Sequence, residues 1–112
     1  MSELKESVQN LQERFAALKN LFDLDGKQKL VNDLESQTQA SGFWNDQETA
    51  QGIAKKLGRL KEDVDAYVAV LTELQELVEF ADLEDANLDD EIRKKAAALE
   101  KRVAALEELQ MF

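Results

Sequence analysis

The chain has 112 residues, of which 24 are acidic and 14 basic, and its net charge at pH 7 is −10. This length corresponds to one domain at most. The net negative charge argues against nonspecific binding to nucleic acid, because the phosphates would repel the chain. Because the sequence has no cysteine and no histidine, we expect no disulfide, no cofactor or metal site built on thiol or imidazole groups, and no conventional nucleophile–base pair.

The sequence has neither an apolar run of about 20 residues nor a signal-peptide pattern. It therefore predicts a cytoplasmic chain that does not enter a membrane.

Two helices are predicted in the first 40 residues. Ser2 is the expected cap of the first helix, Asp23 or Asp25 begins the second, and Gly26 marks the weak point between the two. Residues 40–42 form a predicted loop. The first apolar stripe, with spacings of four and three residues, is Leu4, Val8, Leu11, Phe15, Leu18 and Phe22, and the narrower second stripe is Leu30, Val31 and Leu34.

The strongest pattern in the chain predicts one long helix over about 45–81. A helix of this length cannot bury its apolar stripe alone, so it needs partners along its length. Asn87 or Asp89 caps a fourth predicted segment. The long stripe is Ala50, Ile53, Leu57, Leu60, Val64, Tyr67, Leu71, Leu74, Val78 and Ala81, and the fourth is Ile92, Ala96, Leu99, Val103 and Leu106.

Short connections between long helices favour antiparallel neighbours. The predicted fold is therefore all-α, an antiparallel helical bundle of three to four helices within a single domain over 1–112. A heptad pattern also permits self-association as a coiled coil, but the capped turns favour the intramolecular bundle and a monomer.

The segment before the long helix combines capping residues with large aromatic side chains. Asn45 can cap the helix and Glu48 can complete a capping box, with Phe43 and Trp44 as an apolar staple. Trp44, the only tryptophan, has two interpretations: a structural anchor at the end of the bundle, or a partner-binding residue. The capping pattern favours the anchor, for which Trp44→Ala would cost about 3–5 kcal/mol.

The same segment, Gly42 to Gln51, resembles an element in the N-terminal domain of the bacterial release factor 2 family, a branch of the class I release factors. The resemblance extends upstream to Leu21–Asp25, where the family breaks its first two helices, and downstream through the order of the later helices. The family's Gly-Gly-Gln and Ser-Pro-Phe motifs are missing. The resemblance therefore implies the N-terminal domain of a longer release factor, and this fragment should release no peptide.

What the resemblance implies is a role in translation termination at UGA and UAA codons. The family's N-terminal domain lies near the ribosomal stalk base, close to ribosomal protein L11 and its RNA, so the expected partners are the ribosome and the remaining domains of the factor, with no membrane and no DNA. The residues alone leave another hypothesis open: a stand-alone acidic helical bundle or coiled coil that acts as an interaction or scaffold module.

Charged and small residues leave further alternatives. The densest basic cluster is Lys55, Lys56, Arg59 and Lys61. This cluster could contact ribosomal RNA or an acidic patch. It could also be an ordinary solvated face with helical ion pairs and no binding role, which is the interpretation that we favour.

An acidic run at 82–91 favours a solvated turn at a helix N-terminus over an interaction tail. Gly52 and Gly58 inside the long helix predict close approach of a neighbouring backbone. Residues 23–26 lack the ligand pattern of a calcium loop.

Overall fold

The computed structural model of the chain describes residues 2–111, and the side chains of residues 3–111. It confirms the all-α prediction and the single long helix, and the described part contains no strand. None of the helices is long and apolar enough to cross a membrane within that part. The side chain of Ser2, the expected first cap, lies outside the described residues. The elements are α1 (Ser2–Phe22), α2 (Leu24–Gln39), a 3-10 turn (Phe43–Asn45), α3 (Gln47–Asp82), a second 3-10 turn (Ala86–Leu88) and α4 (Asp89–Gln110).

The chain divides into two compact units. The first unit consists of Met1–Phe22 and Val68–Phe112, and the second of Asp23–Tyr67. Helix α3 is continuous through residues 67 and 68, so it contributes to both.

The core of the first unit contains the apolar stripe predicted for α1. All six residues of that stripe are buried, and Phe15 is only 2% exposed. On α4, the side chains of Ile92, Ala96, Leu99 and Val103 are buried as predicted, whereas Leu106 is half-buried. The 3-4 periodicity therefore identified the inward faces of both helices.

On α3, the buried stripe in the first unit is wider than predicted. Val70 and Leu77 are fully buried, whereas the predicted Leu71 and Val78 are half-buried. Leu71 and Val78 line grooves shared with α1, and Leu99 lines a groove that α3 shares with α4. Because two helices cover α3 here, its apolar surface extends beyond the line of a single heptad pattern.

Contacts along the helices define their directions in the first unit. Glu73 of α3 pairs with Arg102 of α4, and Lys95 of α4 lies over the Phe80 ring, 5.8 Å from its centroid, so these helices are antiparallel. The grooves between α1 and α3 pair residues in reversed order, which makes that pair antiparallel as well. Helices α1 and α4 are consequently parallel to each other.

Arg14 forms the main polar connection between α1 and α4. Its Nη2 and Nε donate to the two carboxylate oxygens of Glu107, at 2.6 and 3.3 Å, and its Nη1 donates to Glu100. The hydrogen bonds to Glu107 and then Glu100 raise the pKa of the Arg14 guanidinium, and the hydrogen bond from Arg14 lowers the pKa of the Glu107 carboxyl. The planar guanidinium matches a carboxylate in a way that an ammonium cannot.

The junction between α1 and α2 confirms Asp23 as the cap of the second helix. Asp23 adopts a left-handed conformation, with φ of 57°, and its Oδ1 accepts a hydrogen bond from the Gly26 N–H at 3.3 Å. A Cβ at position 26 would lie 2.2 Å from Asp23 Oδ2, so the capping carboxylate requires glycine there. The predicted stripe on α2 was wrong in one residue: Leu30 is 39% exposed, and Leu24 is buried instead.

The predicted caps of α4 were wrong. The helix begins at Asp89 itself, and its N-cap position is Leu88, whose side chain makes no capping hydrogen bond. Asp85 caps the preceding 3-10 turn by accepting a hydrogen bond from the Asn87 N–H at 3.0 Å. The acids of the 82–91 run thus lie at the end of α3, in the connecting turn and in the first turn of α4, and the helix dipole favours the negative charge of the last group.

The prediction for the two glycines of α3 was also wrong. An ideal Cβ built at Gly52 or Gly58 meets no atom within 4 Å, so no neighbouring backbone approaches either position. Neither glycine is required by packing among the described residues.

Two leucines of α1 provide a matched test of the core. We expect Leu11→Ala, at a site 4% exposed, to lower the free energy of unfolding by about 2–5 kcal/mol, since it removes buried methyl groups and leaves a cavity. The same substitution at Leu21, which is 73% exposed, should change it by no more than about 0.5 kcal/mol. Urea denaturation of both variants measures the difference, and equal losses would contradict the assignment of the inward face.

The Arg14–Glu107 contact predicts a dependence of stability on pH. Because the folded-state pKa of Glu107 is lowered, its contribution is fully present above the unfolded pKa of about 4.3 and is lost as the pH falls through the folded value. Glu107→Gln should cost up to about 1 kcal/mol at pH 7, since the pair is partly exposed.

Chemical denaturation between pH 3 and pH 7 measures this effect. The difference between wild type and Glu107→Gln should shrink as the pH falls below about 4.3. Glu108→Gln, which removes the neighbouring exposed carboxylate, is the control. A Glu107→Gln difference that stays constant over this range would show that the contact does not contribute through ionisation.

Candidate functional site

The cap of α3 lies one residue later than predicted. Asn45 belongs to the 3-10 turn, and its N–H donates to the Gly42 carbonyl at 3.1 Å, so it is not available for a capping box with Glu48. The cap is Asp46, whose Oδ1 accepts from the Thr49 N–H at 3.2 Å and whose Oδ2 accepts from the Thr49 hydroxyl at 2.8 Å. The hydrogen bonds from Thr49 lower the pKa of Asp46.

The sequence also contains a pattern that predicts Asp46 as the cap. Aspartate is as good an N-cap residue as asparagine. An aspartate followed three residues later by threonine, as Asp46 and Thr49 are, allows the carboxylate to reach both the backbone and the side chain of that residue. Gly42, with φ of 81°, supplies the left-handed turn that begins the 3-10 segment.

Trp44, predicted as a structural anchor at the end of the bundle, lies largely at the surface. It is 55% exposed, and its ring meets the Phe43 ring edge to face, with centroids 5.1 Å apart and an interplanar angle of 87°. Phe43 is half-buried. The two aromatic rings pack on each other at the surface, which leaves much of the indole free to contact a partner.

The start of α3 has a less complete cover than its end. In the second unit, Ala50, Val64 and Tyr67 are buried, but the predicted stripe residues between them are only half-buried: Ile53, Leu57 and Leu60. Burial raises the pKa of the Tyr67 hydroxyl. This unit therefore combines a modest core with partly accessible apolar surface.

The predicted basic cluster separates into two parts. Lys61 Nζ lies 3.1 Å from Glu35 Oε2 of α2, so it ties two helices of the second unit together. Lys55, Lys56 and Arg59 are exposed and have no ion pair among the described residues. The helical ion pairs that the solvated-face interpretation predicted are therefore not formed, even though acids lie one turn beyond Arg59.

The exposed side chains of the second unit include the Trp44 indole and the cations Lys55, Lys56 and Arg59, beside half-buried aliphatic groups and several exposed carboxylates. Aromatic and basic side chains of this kind contribute to contacts with partners. Among the described residues, no group of three or more acids, histidines or cysteines could hold a metal ion.

The exposure of Trp44 revises the expected effect of its removal. We expect Trp44→Ala to lower the free energy of unfolding by about 1 kcal/mol, chiefly through the lost edge-to-face contact with Phe43. Phe15→Ala, in the core of the first unit, should cost about 3–5 kcal/mol. Thermal and urea denaturation of both variants compare the two. A loss at Trp44 as large as that at Phe15 would restore the anchor interpretation.

Comparisons with known proteins agree with the resemblance carried by this segment. The PCRF domain family matches residues 27–112. A peptide chain release factor 2 of Chloroflexus aggregans is 33% identical over 111 residues, covering 96% of this chain and 30% of that protein. Its counterpart in Shewanella baltica is 31% identical over 113 residues, covering 97% and 31%, respectively. The one in Petrotoga mobilis is 27% identical over 106 residues, covering 92% and 29%.

The chain thus spans about 30% of the length of the relatives it matches. The match includes the Trp44 segment, α3 and α4. The chain belongs to the PCRF domain family and is a release factor domain of the release factor 2 type.

Proposed function

We propose that this chain acts in translation termination as the N-terminal domain of a release factor that is specific for UGA and UAA. One observation carries the proposal: nearly the whole chain aligns with proteins named peptide chain release factor 2. Codon reading and hydrolysis of peptidyl-tRNA belong to other parts of such a factor in this proposal, since the Gly-Gly-Gln and Ser-Pro-Phe sequences do not occur between residues 1 and 112.

The role proposed for the domain is to position the factor on the large ribosomal subunit, towards the stalk base with ribosomal protein L11 and its RNA. The second unit supports this role through its accessible groups. Lys55, Lys56 and Arg59 are free to contact a negatively charged partner, and Trp44 offers an exposed aromatic surface. Lys61 contributes less, because it is paired with Glu35.

Sedimentation with purified ribosomal subunits tests the positioning role. The chain should sediment with large subunits and not with small ones, and it should release no formylmethionine from programmed ribosomes. Binding should weaken as salt is raised, since charged contacts are screened. Absence of binding to the large subunit would favour a separate interaction module. Peptide release by the isolated chain would contradict the proposal that hydrolysis belongs to other parts of the factor.

Codon specificity requires a longer protein. A release factor 2 in which this chain replaces the matching segment should release peptide at UGA and UAA but not at UAG, at a rate near that of the parent. A chimera that folds but no longer releases peptide at UGA would contradict the assignment of this chain to release factor 2. The parent factor with its own segment is the control for ribosome quality.

A further inference from the structure

Four residues near the start of α3 form one exposed helical face. Gly52, Lys55, Lys56 and Arg59 have the spacing i, i+3, i+4 and i+7, which places them on one side of a helix. All four are exposed. We call them the basic face. Its three cations have no ion pair in the part of the chain that the structure describes, and the same is true of Lys19, Lys29, Lys94 and Lys101. The cations that are paired with carboxylates are Lys5, Arg14, Lys61, Arg93, Lys95 and Arg102.

Gly52 leaves the helix backbone uncovered at the N-terminal end of this face, one turn before Lys55 and Lys56. A Cβ there would meet nothing within 4 Å, so no contact among the described residues requires glycine. Glycine in a helix interior weakens the helix relative to alanine. Its presence at an exposed position beside these cations is therefore a cost to folding that close approach of a bound partner would explain.

We propose that the basic face binds the sugar-phosphate backbone of RNA, an inference that rests on the proposed function for the choice of a ribosomal partner. Lys55 and Arg59 are separated by about 6 Å along the helix axis, at 1.5 Å per residue, which lets them contact successive phosphates. Arg59 can bind a phosphate through two parallel hydrogen bonds, and the lysines act as mobile point charges.

The charge distribution confines such a contact to a short stretch. Residues 23–67 carry nine acidic and six basic side chains. Glu48 lies one turn before Gly52 on α3, and Glu62 and Asp63 follow Arg59 within about one turn. These carboxylates repel phosphates on either side, so the face should bind two or three phosphates and not a long duplex.

The uncovered backbone favours RNA over an acidic protein. Carboxylates of a protein partner sit at the ends of side chains and reach flexible lysines without displacing anything on the helix. A sugar-phosphate chain is continuous and bulky, so its phosphates come close to a helix only where no side chain intervenes. The missing Cβ at Gly52 gives that access beside Lys55 and Lys56, at the N-terminal end of the basic face.

Fluorescence anisotropy with a labelled mixed-sequence RNA hairpin measures the contact. The plot of log K against log salt should have a slope of about −2 to −3 for three cations. Lys55→Gln/Lys56→Gln/Arg59→Gln should weaken binding at least about tenfold and flatten the slope. The control Lys19→Gln/Lys94→Gln/Lys101→Gln removes the same charge from cations that also lack an ion pair in residues 3–111. Equal losses in both variants would overturn the proposal.

Two alanine substitutions isolate the role of the uncovered backbone. Gly52→Ala and Gly58→Ala both place a Cβ in open space, so each should raise the melting temperature. Gly58 lies about 120° around the helix from Gly52, outside the basic face. Only Gly52→Ala should weaken RNA binding, by several-fold with an unchanged salt slope. Identical affinities for the two variants would overturn the close approach.

Two further measurements separate this inference from the proposed function. Tighter binding of polyglutamate than of the hairpin would assign the face to an acidic protein and overturn the inference. If the hairpin does not bind but the chain sediments with large subunits, the inference is wrong and the proposed function stands. If the hairpin binds through the basic face but the chain does not sediment, the proposed function fails and the RNA site remains.

Discussion

The burial of one long apolar stripe on α3 is the constraint on which the other features depend. From Val70 to Ala81 this stripe is covered by both α1 and α4, and its central residues Leu74 and Leu77 are almost fully buried. In the second unit, where α2 is the other long helix, Ile53 and Leu57 stay half-buried. Two helices cannot enclose an apolar stripe from all sides, whereas three can. The two units therefore differ in how much apolar surface they leave accessible.

Charged groups in the first unit contribute mainly to the choice of which helix surfaces pack together, and they contribute little to the free energy of unfolding. Arg14 joins α1 to two glutamates of α4, and Lys5 of α1 pairs with Glu84 at 2.6 Å. These pairs are partly exposed, so each contributes little net free energy. Their geometry nevertheless matches only the parallel arrangement of α1 and α4, because a shift by one turn would leave the Arg14 guanidinium facing the wrong residues.

The second unit carries the groups that folding does not use. Trp44 exposes most of an indole, Gly52 leaves helix backbone uncovered, and Lys55 and Arg59 have no carboxylate partner among the described residues. The exposed indole and the glycine inside a helix depart from what stability alone would favour in a helical domain, and such departures concentrate at functional sites. Their position on one unit supports the proposal that this unit meets the ribosome while the first unit supplies the packed core.

The sequence alone determined the four long helices but not the two 3-10 turns, and it determined the inward faces of α1 and α4 and the family, because helical periodicity and the order of motifs are local properties. It did not determine burial at Trp44 or the packing around Gly52. The sequence around an aromatic residue beside a cap looks the same whether or not another element covers that residue, and the same holds for a glycine inside a helix. Only the tertiary structure showed that Trp44 is 55% exposed and that a Cβ at Gly52 would meet no atom of the described chain within 4 Å, because burial depends on which distant residues pack against a position.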